Sequence, residues 1–335
     1  MNIIVTGGAG FIGSNFIRQR INSHPDDLIV NVDILTHAGV KESLIDVEKS
    51  HNDRYFFEKT DICDYDAVET IVKKYKIAGI INFAAESHNS YALINPTAFY
   101  RTNLMGTQNL LEITRKNKLE RFHHISTCEV YGDLALDSKE KFYEDSPLAP
   151  NTPYNSSKAC ADLAVNAYFK TFAVPVTISN CSNNYGPYQF PAKLIPLFVT
   201  NLIQNKPLTL YKESMNKREW LHVDDHCSAI NAIFDNGTIG ETYNIGSGIE
   251  KSIEEISDII LSHMGRTSSE KTYVPSRPAH DRRYLLDSSK IRRVLGWKPE
   301  VDFEDGIKAA IDWYINNTEW WKPLLNRRPL DEANW

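Results

Sequence analysis

Short apolar runs alternate with amphipathic stretches over the first 180 residues. Ile3-Ile4-Val5, Leu28–Val32 and Tyr55-Phe56-Phe57 are compact apolar or aromatic runs, and similar runs recur at 77–83 and 122–126. Between them apolar residues return at helical spacing over 11–21, 65–76, 95–116 and 153–172. Period and length together predict buried strands separated by helices. Strand, helix, strand at this spacing implies right-handed βαβ units and a parallel sheet.

After residue 180 the pattern changes. Pro187, Pro191 and Pro196 crowd a segment leading into a helix near 193–204. Shorter strands at 208–211, 241–245 and 271–274 are interspersed with helices near 224–235, 252–264 and 302–317. The expected architecture is α/β. A Rossmann-type parallel sheet with helices on both faces spans 1–180, and a later segment near 215–240 returns to it. A smaller mixed α/β domain over 181–325 would hold the substrate. The polar tail 326–335 reads as loosely held or as a contact for another chain. Trp313, Trp320 and Trp321 at helical spacing read as core or a surface anchor. There is no internal repeat and no flexible linker.

Composition bounds the function. The 335 residues, 42% hydrophobic and 24% charged, suit a folded chain of two domains or of one large domain with an appendage. A net charge of −6 without a long basic run argues against a nucleic-acid binder. The five cysteines form no CxxC pair and read as reduced thiols of a cytosolic protein. The ten histidines show no metal spacing, so no metal is expected. No apolar run approaches the roughly 20 residues of a membrane span. The start, Met1 to Thr6, is too short and lacks the basic flank of a signal peptide.

Gly7-Gly8-Ala9-Gly10-Phe11-Ile12-Gly13 follows the first strand and opens the first helix. Glycines there permit a sharp turn and close approach of backbone to a pyrophosphate, which the helix N-terminus attracts. Asp33 ends the second strand about 20 residues on, where a carboxylate accepts hydrogen bonds from ribose hydroxyls. It would repel a 2′-phosphate, so NAD is favoured over NADP.

Tyr154 and Lys158 lie four apart in a predicted helix and share one face. A lysine ammonium near a phenol favours phenolate, making the tyrosine a base for an alcohol that loses a hydride. Ser126-Thr127-Cys128-Glu129 follows a strand, where an open α/β sheet binds ligands. Thr127 is a candidate hydrogen-bond partner of a substrate hydroxyl. Glu129 is a candidate base for a carbon acid beside a ketone. Cys128 is a candidate weak acid or a space-filling residue.

The glycine loop, Phe83-Ala84-Ala85-Glu86-Ser87-His88, the Tyr154/Lys158 pair and Asn180-Cys181-Ser182-Asn183-Asn184-Tyr185-Gly186-Pro187 resemble the extended short-chain dehydrogenase/reductase superfamily. More narrowly the chain resembles the dTDP-glucose 4,6-dehydratases. The likeness continues through Arg218–His226, Tyr243–Gly246, Arg277–Tyr284 and Gly296–Pro299 and covers nearly the whole chain. It implies that Tyr154, assisted by Lys158 and Thr127, oxidises a sugar C4 hydroxyl, with hydride passing to NAD. Glu129 would then remove the C5 proton, water would leave C6, and the hydride would return. The dinucleotide would lie against Gly7, Gly10, Phe11, Ile12, Gly13, Asp33, Asp61, Ile62, Ala84 and Ala85 as well as Tyr154 and Lys158. Ser87, His88, Asn183, Lys193, Arg218, Asn244, Arg277 and Tyr284 match positions implied to hold the nucleotide sugar. The resemblance also implies a homodimer built on the helices at 95–116 and 153–172.

Three departures fall in motifs that the family places round the sugar. Cys128-Glu129 stands where it usually has Asp-Glu, His88-Asn89-Ser90-Tyr91-Ala92 where it has His-Val-Asp-Arg-Ser, and Phe190-Pro191-Ala192-Lys193 where it has Phe-Pro-Glu-Lys. The aspartate is the family's acid for water departure, and a thiol is a poor substitute. A Cys-Glu pair resembles the UDP-N-acetylglucosamine 5,6-dehydratases of the tunicamycin and pseudaminic acid pathways. The sequence therefore favours a UDP-GlcNAc 5,6-dehydratase giving a 5,6-ene. The alternatives are a dTDP-glucose or UDP-sugar 4,6-dehydratase giving a 4-keto-6-deoxy sugar, a sugar-nucleotide epimerase, and a non-catalytic NAD- or sugar-nucleotide-binding protein.

Overall fold

A computed structural model describes residues 1–212, 214–276 and 280–327. The chain opens with β1 (Asn2–Thr6), α1 (Phe11–Ser23), β2 (Leu28–Val32), α2 (Ile45–Ser50), β3 (Tyr55–Glu58), α3 (Tyr65–Tyr75) and β4 (Gly79–Asn82). It continues through α4 (Asn89–Ile94), α5 (Pro96–Phe99), a π-helical stretch (Tyr100–Gly106), α6 (Thr107–Asn117), β5 (Arg121–Thr127), α7 (Pro153–Phe172) and β6 (Val176–Cys181). Then come β7 (Asn183–Tyr185), α8 (Leu194–Ile203), β8 (Leu208–Tyr211), β9 (Lys217–His222), α9 (Val223–Asn236), β10 (Thr242–Ile245) and β11 (Glu250–Ser252). The last elements are α10 (Ile253–His263), β12 (Lys271–Val274), α11 (Ser289–Leu295), α12 (Phe303–Asn316), α13 (Thr318–Trp321) and a 3₁₀ turn (Lys322–Arg327).

Seven strands form one parallel sheet in the order β10-β6-β5-β4-β1-β2-β3. This is the Rossmann-type sheet read from the apolar runs. Successive β1 residues point to opposite faces. Ile3 and Val5 pack with Phe16 and Ile17 of α1 and Ile230 and Phe234 of α9. Ile4 packs on the other side with Val68 of α3, Leu110 of α6 and Val165 of α7. Strand order reverses between β1 and β4, and such a switch point opens a crevice at the strands' carboxyl ends.

The smaller sheets are β11-β9-β7 and β12-β8. They flank a second core in which Phe198 of α8, Trp220 of β9, Ile256 of α10, Tyr314 of α12 and Trp321 of α13 are buried together. The expected return of 215–240 needs moving. β9 belongs to a small sheet, whereas α9 packs on α1 and β10 pairs with β6, so the segment that rejoins the large sheet is 223–245.

The helix expected over 95–116 is not uniform. Asn95 caps α5, and the next seven residues widen into the π-helical stretch before α6 resumes. The strand β6 escaped the pattern because Thr177 and Ser179 interrupt its apolar run; both hydroxyls are buried against the two ring nitrogens of His123, at 2.9 and 3.1 Å. His123 is thereby a packing residue, as its place on the strand suggests. Of the tail at 326–335 only residues 326 and 327 are described. The 3₁₀ turn folds back on the large sheet's side, where Arg327 donates to the carbonyls of Thr36 (2.8 Å) and Gly39 (2.9 Å), and Trp320 Nε1 donates to Ser43 Oγ (3.1 Å). Residues 328–335 lie outside the described residues. Among the described residues no helix is long and apolar enough to cross a membrane, and no group of three or more His, Cys, Asp or Glu gathers as a metal site would.

Candidate active site

A cavity of about 450 Å³ opens at the carboxyl ends of β1, β2, β4, β5 and β6. Its floor at one end is the glycine loop. Gly7 holds φ +66°, and a Cβ there would stand 2.6 Å from the Ala84 amide nitrogen; a Cβ on Gly13 would run into the Gly7 carbonyl. Bulk is excluded so that backbone forms the wall. Gly10 caps α1 with no side-chain partner, leaving the helix's first N–H groups toward the cavity. The Asp33 carboxylate accepts from the amides of Ala9 (3.0 Å) and Leu35 (2.7 Å), and burial raises its pKa. Phe11, Ile12, Ile62, Ala84 and Ala85 complete this end. Asp61 stands at its rim, paired with Arg101 at 2.7 Å. Every residue predicted for the dinucleotide therefore faces one space. A backbone cradle beside a buried carboxylate fits a dinucleotide's pyrophosphate and ribose.

The other end holds Thr127, Cys128, Glu129, Tyr154 and Lys158. Thr152 caps α7 by accepting from Asn155 N, which places Tyr154 and Lys158 in the first turns of that helix. Burial pushes the Tyr154 phenol well above its ordinary range; Glu129 and the thiols of Cys181 and Cys128 push the same way, and a hydrogen bond with Thr127 opposes them. Lys158 lines the same cavity but makes no hydrogen bond with the phenol. Lys158 Nζ donates instead to the Ile125 carbonyl at 2.6 Å and lies 3.3 Å from His124 Nε2. His124 in turn lies 3.5 Å from Asp162 Oδ1, and Ser126 Oγ donates to Asp162 Oδ2 at 2.8 Å. Burial lowers the Lys158 pKa to about 8 against the opposing pull of Asp162, and raises that of Asp162 to about 7 against the opposing charge of Lys158.

Cys128 is a neutral thiol. It is 1% exposed, and burial followed by the Glu129 charge raises its pKa well above 9. That makes it a still weaker proton donor, and on the cavity wall it packs with Tyr131, Ala159 and Tyr284. Glu129 is held by Asn89, whose Nδ2 donates to Oε2 at 3.1 Å.

The predicted substrate residues divide. Ser87, Asn183 and Lys193 line the cavity, and Lys193 Nζ donates to the Ser87 carbonyl at 2.9 Å. Asn183 Oδ1 and Ser182 Oγ are buried on the wall with no hydrogen-bond partner among the described residues, as expected of atoms that await a polar ligand. His88, at the N-cap of α4, is not on the wall. Asn244 is corrected to a structural role: its Oδ1 accepts from Tyr131 and its Nδ2 donates to the Phe142 carbonyl, each at 3.0 Å. Arg218 and Tyr284 stand behind the wall, the guanidinium 4.8 Å from the ring centre. Arg218 donates to the Asp281 carbonyl (2.8 Å), and the Tyr284 hydroxyl is bonded to the Asp281 carboxylate. Arg277 lies outside the described residues.

Sequence reasoning missed the residues that hold these groups. Asn103, in the π-helical stretch, accepts from the Glu86 amide (2.8 Å) and donates to the Glu86 carbonyl (3.0 Å) and to Ser157 Oγ (2.8 Å), locking the loop after β4 to α7. Asn89 was visible as part of an altered motif, but its partners are 40 and 63 residues away.

Comparison with known proteins agrees with this geometry. Residues 4–310 match the family described as GDP-mannose 4,6 dehydratase. A dTDP-glucose 4,6-dehydratase of Neisseria meningitidis serogroup B is 43% identical over 344 residues, covering 97% of this chain and 96% of that protein. The crystal structure of a dTDP-glucose 4,6-dehydratase from Streptomyces venezuelae, with NAD bound, superposes with a TM-score of 0.93 at 43% identity, covering 97% of this chain and 100% of that one. A UDP-glucuronic acid 4-epimerase from Bacillus cereus gives a TM-score of 0.86 at 27% identity, covering 94% and 99% of the two chains.

The buried network yields a titration test. Lysine Cε NMR of the free protein is expected to show Lys158 losing its proton near pH 8 rather than near its ordinary 10.5. Asp162→Asn removes the negative charge that helps retain that proton, so its midpoint moves lower still. A midpoint at the ordinary value, or one unmoved by the substitution, contradicts the network.

Proposed function

Within the GDP-mannose 4,6 dehydratase family, to which this chain belongs, we propose that it acts as an NAD-dependent dTDP-glucose 4,6-dehydratase. It is a hydro-lyase of the extended short-chain dehydrogenase/reductase type. The observation that carries the reading is one continuous cavity, in which the glycine cradle and Asp33 share walls with Tyr154, Thr127 and Glu129.

Gly7, Gly10 and Gly13 would admit the pyrophosphate of NAD, and Asp33 the ribose hydroxyls. Bound NAD supplies the site with a reversible acceptor for the hydrogen at sugar C4. Tyr154 would take the C4 hydroxyl proton as its phenolate, a form that burial disfavours in the free site and that the positive charge of an oxidised nicotinamide beside it would favour, with Thr127 orienting the oxygen. The resulting ketone acidifies C5, and Glu129 removes that proton. The C5 electron pair forms the C5=C6 bond as the C6–O bond breaks. With Cys128 a poor acid, Glu129 returns its proton to the departing oxygen, so water leaves and the carboxylate is regenerated. The hydrogen taken from C4 would then return to C6, and a proton matching the one Tyr154 took would return to C5, leaving a C6 methyl and the cofactor oxidised again. Ser182, Asn183 and Lys193 hold the sugar nucleotide.

The expectation of a 5,6-ene from UDP-GlcNAc gives way here. It rested on the Cys128-Glu129 pair and on two further departures round the sugar, and Cys128 packs with Tyr284 at the cavity wall. Likeness to the 4,6-dehydratases runs through the whole chain at 43% identity, against 27% for the epimerase. The five unpaired thiols suit a reducing cytosol.

Incubation with NAD and dTDP-glucose, followed by mass spectrometry and proton NMR, is expected to show loss of water and a new C6 methyl signal. A vinylic signal, or turnover of UDP-GlcNAc in preference, would restore the 5,6-ene reading; an unchanged mass would reject both. Tyr154→Phe is expected to slow turnover by about 100- to 10,000-fold, the usual worth of a general base.

Met105, Leu163 and Phe172, each more than half exposed on the π-helical stretch and α7, support a homodimer through that face. Analytical ultracentrifugation is expected to show a dimer, and Leu163→Asp a monomer; a wild-type monomer rejects the assignment.

A further inference from the structure

Glu129 sits on a four-residue 3₁₀ turn after β5, a short support for the group assigned the decisive proton transfer. We propose that Asn89, at the start of α4, is the positioning residue for Glu129, bracing the carboxylate against the N-terminus of α7. The proposal rests on the dehydratase reading for what the brace serves, and on the structure for the brace itself.

Both ends of the Asn89 carboxamide are engaged. Nδ2 donates to Glu129 Oε2 at 3.1 Å, and Oδ1 accepts from Thr152 Oγ1 at 2.9 Å. Thr152 Oγ1 is at the same time the N-cap acceptor for Asn155 N at 3.2 Å. The chain Glu129–Asn89–Thr152–Asn155 therefore runs from the base to the first turn of the helix that carries Tyr154. It joins three segments far apart in sequence, and fixes the two proton-handling groups relative to each other. The amide's orientation follows from the bonds: turned over, Oδ1 would face a carboxylate oxygen with no proton between them.

Two consequences follow. A donor on the carboxylate favours its ionised form, so Asn89 supports Glu129 as a base. The titratable groups that feel its charge among the described residues include Cys128, Tyr154 of α7, Cys181 of β6 and Tyr284. Holding one oxygen also sets the direction of the other. The valine usual at this place in resembling proteins can do neither. The altered motif at 88–92 and the change to Cys128 thus meet at one carboxylate: where the neighbouring acid is lost, the remaining one gains a fixed partner.

Asn89→Val and the near-isosteric Asn89→Asp test this. In single turnovers with dTDP-glucose, Asn89→Val is expected to leave reduced-nicotinamide absorbance forming at its normal rate and KM within about twofold, while water loss and C5 exchange with D₂O slow by about 100-fold. The absorbance then accumulates. Asn89→Asp keeps the acceptor for Thr152 but sets a like charge on Glu129. Glutamate carboxyl ¹³C NMR of the free protein is expected to show the Glu129 midpoint raised in Asn89→Asp, and to a lesser degree in Asn89→Val. Oxidation and water loss falling together, neither falling, or a Glu129 midpoint unmoved in both variants overturns the proposal. A wild-type protein that neither reduces NAD nor dehydrates any nucleotide sugar defeats the dehydratase reading instead, and the NMR titration still decides whether Asn89 governs Glu129.

Discussion

A parallel sheet covered on both faces leaves one edge where polar chemistry can gather. The faces of β1, β2, β4, β5 and β6 are filled by the apolar side chains of α1, α3, α6, α7 and α9, so no ligand can enter there. The carboxyl ends of the strands are different, because each must turn into a loop or helix whose first amides lack intrahelical partners. Thr6–Gly7, Val32–Asp33, Asn82–Phe83, Ser126–Thr127 and Cys181–Ser182 all reach that edge. Residues separated by 175 positions of chain thus share a cavity because the register of one sheet aligns their strands.

The same burial sets the electrical character of the site. Desolvation favours the neutral form of each ionisable group unless a partner pulls it the other way. Asp33, Tyr154, Cys128 and Asp162 are all raised by desolvation, and Lys158 is lowered by it. Lys158 and Asp162 are thereby brought to about 8 and about 7, close enough for a proton to move between them at modest cost. Hydrogen bonds decide which group carries charge. Backbone amides hold Asp33, Ser126 holds Asp162, and Asn89 holds Glu129.

What was legible in the sequence was local. The glycine loop, Asp33, the Tyr154/Lys158 spacing and the Thr127–Glu129 run each act through their own strand end or helix turn, and all of them face the cavity. What was not legible depends on partners brought from afar. Asn244 looked like a ligand residue until Tyr131 and Phe142 were seen to use its amide. Lys158 shares the cavity with the phenol, but its bonds to the carbonyl of Ile125 and its approach to the ring of His124 were not visible in the sequence. β6 was hidden because its hydroxyl residues answer a buried histidine on the next strand. The sequence drew the substrate toward variant residues near Glu129, whereas the likeness over 97% of the chain lies with dTDP-glucose 4,6-dehydratases.

The turn at 322–327 gives the molecule a mechanical property. Leu324 and Trp320 pack with Val40 and Phe190, while Arg327 grips the carbonyls of Thr36 and Gly39. Thr36 and Gly39 border the adenosine-facing end of the cavity, and Phe190 borders the end assigned to sugar. One short strap therefore fastens both rims of the crevice to a single anchor near the close of the polypeptide. The two rims are thus tied through the same few contacts rather than held separately.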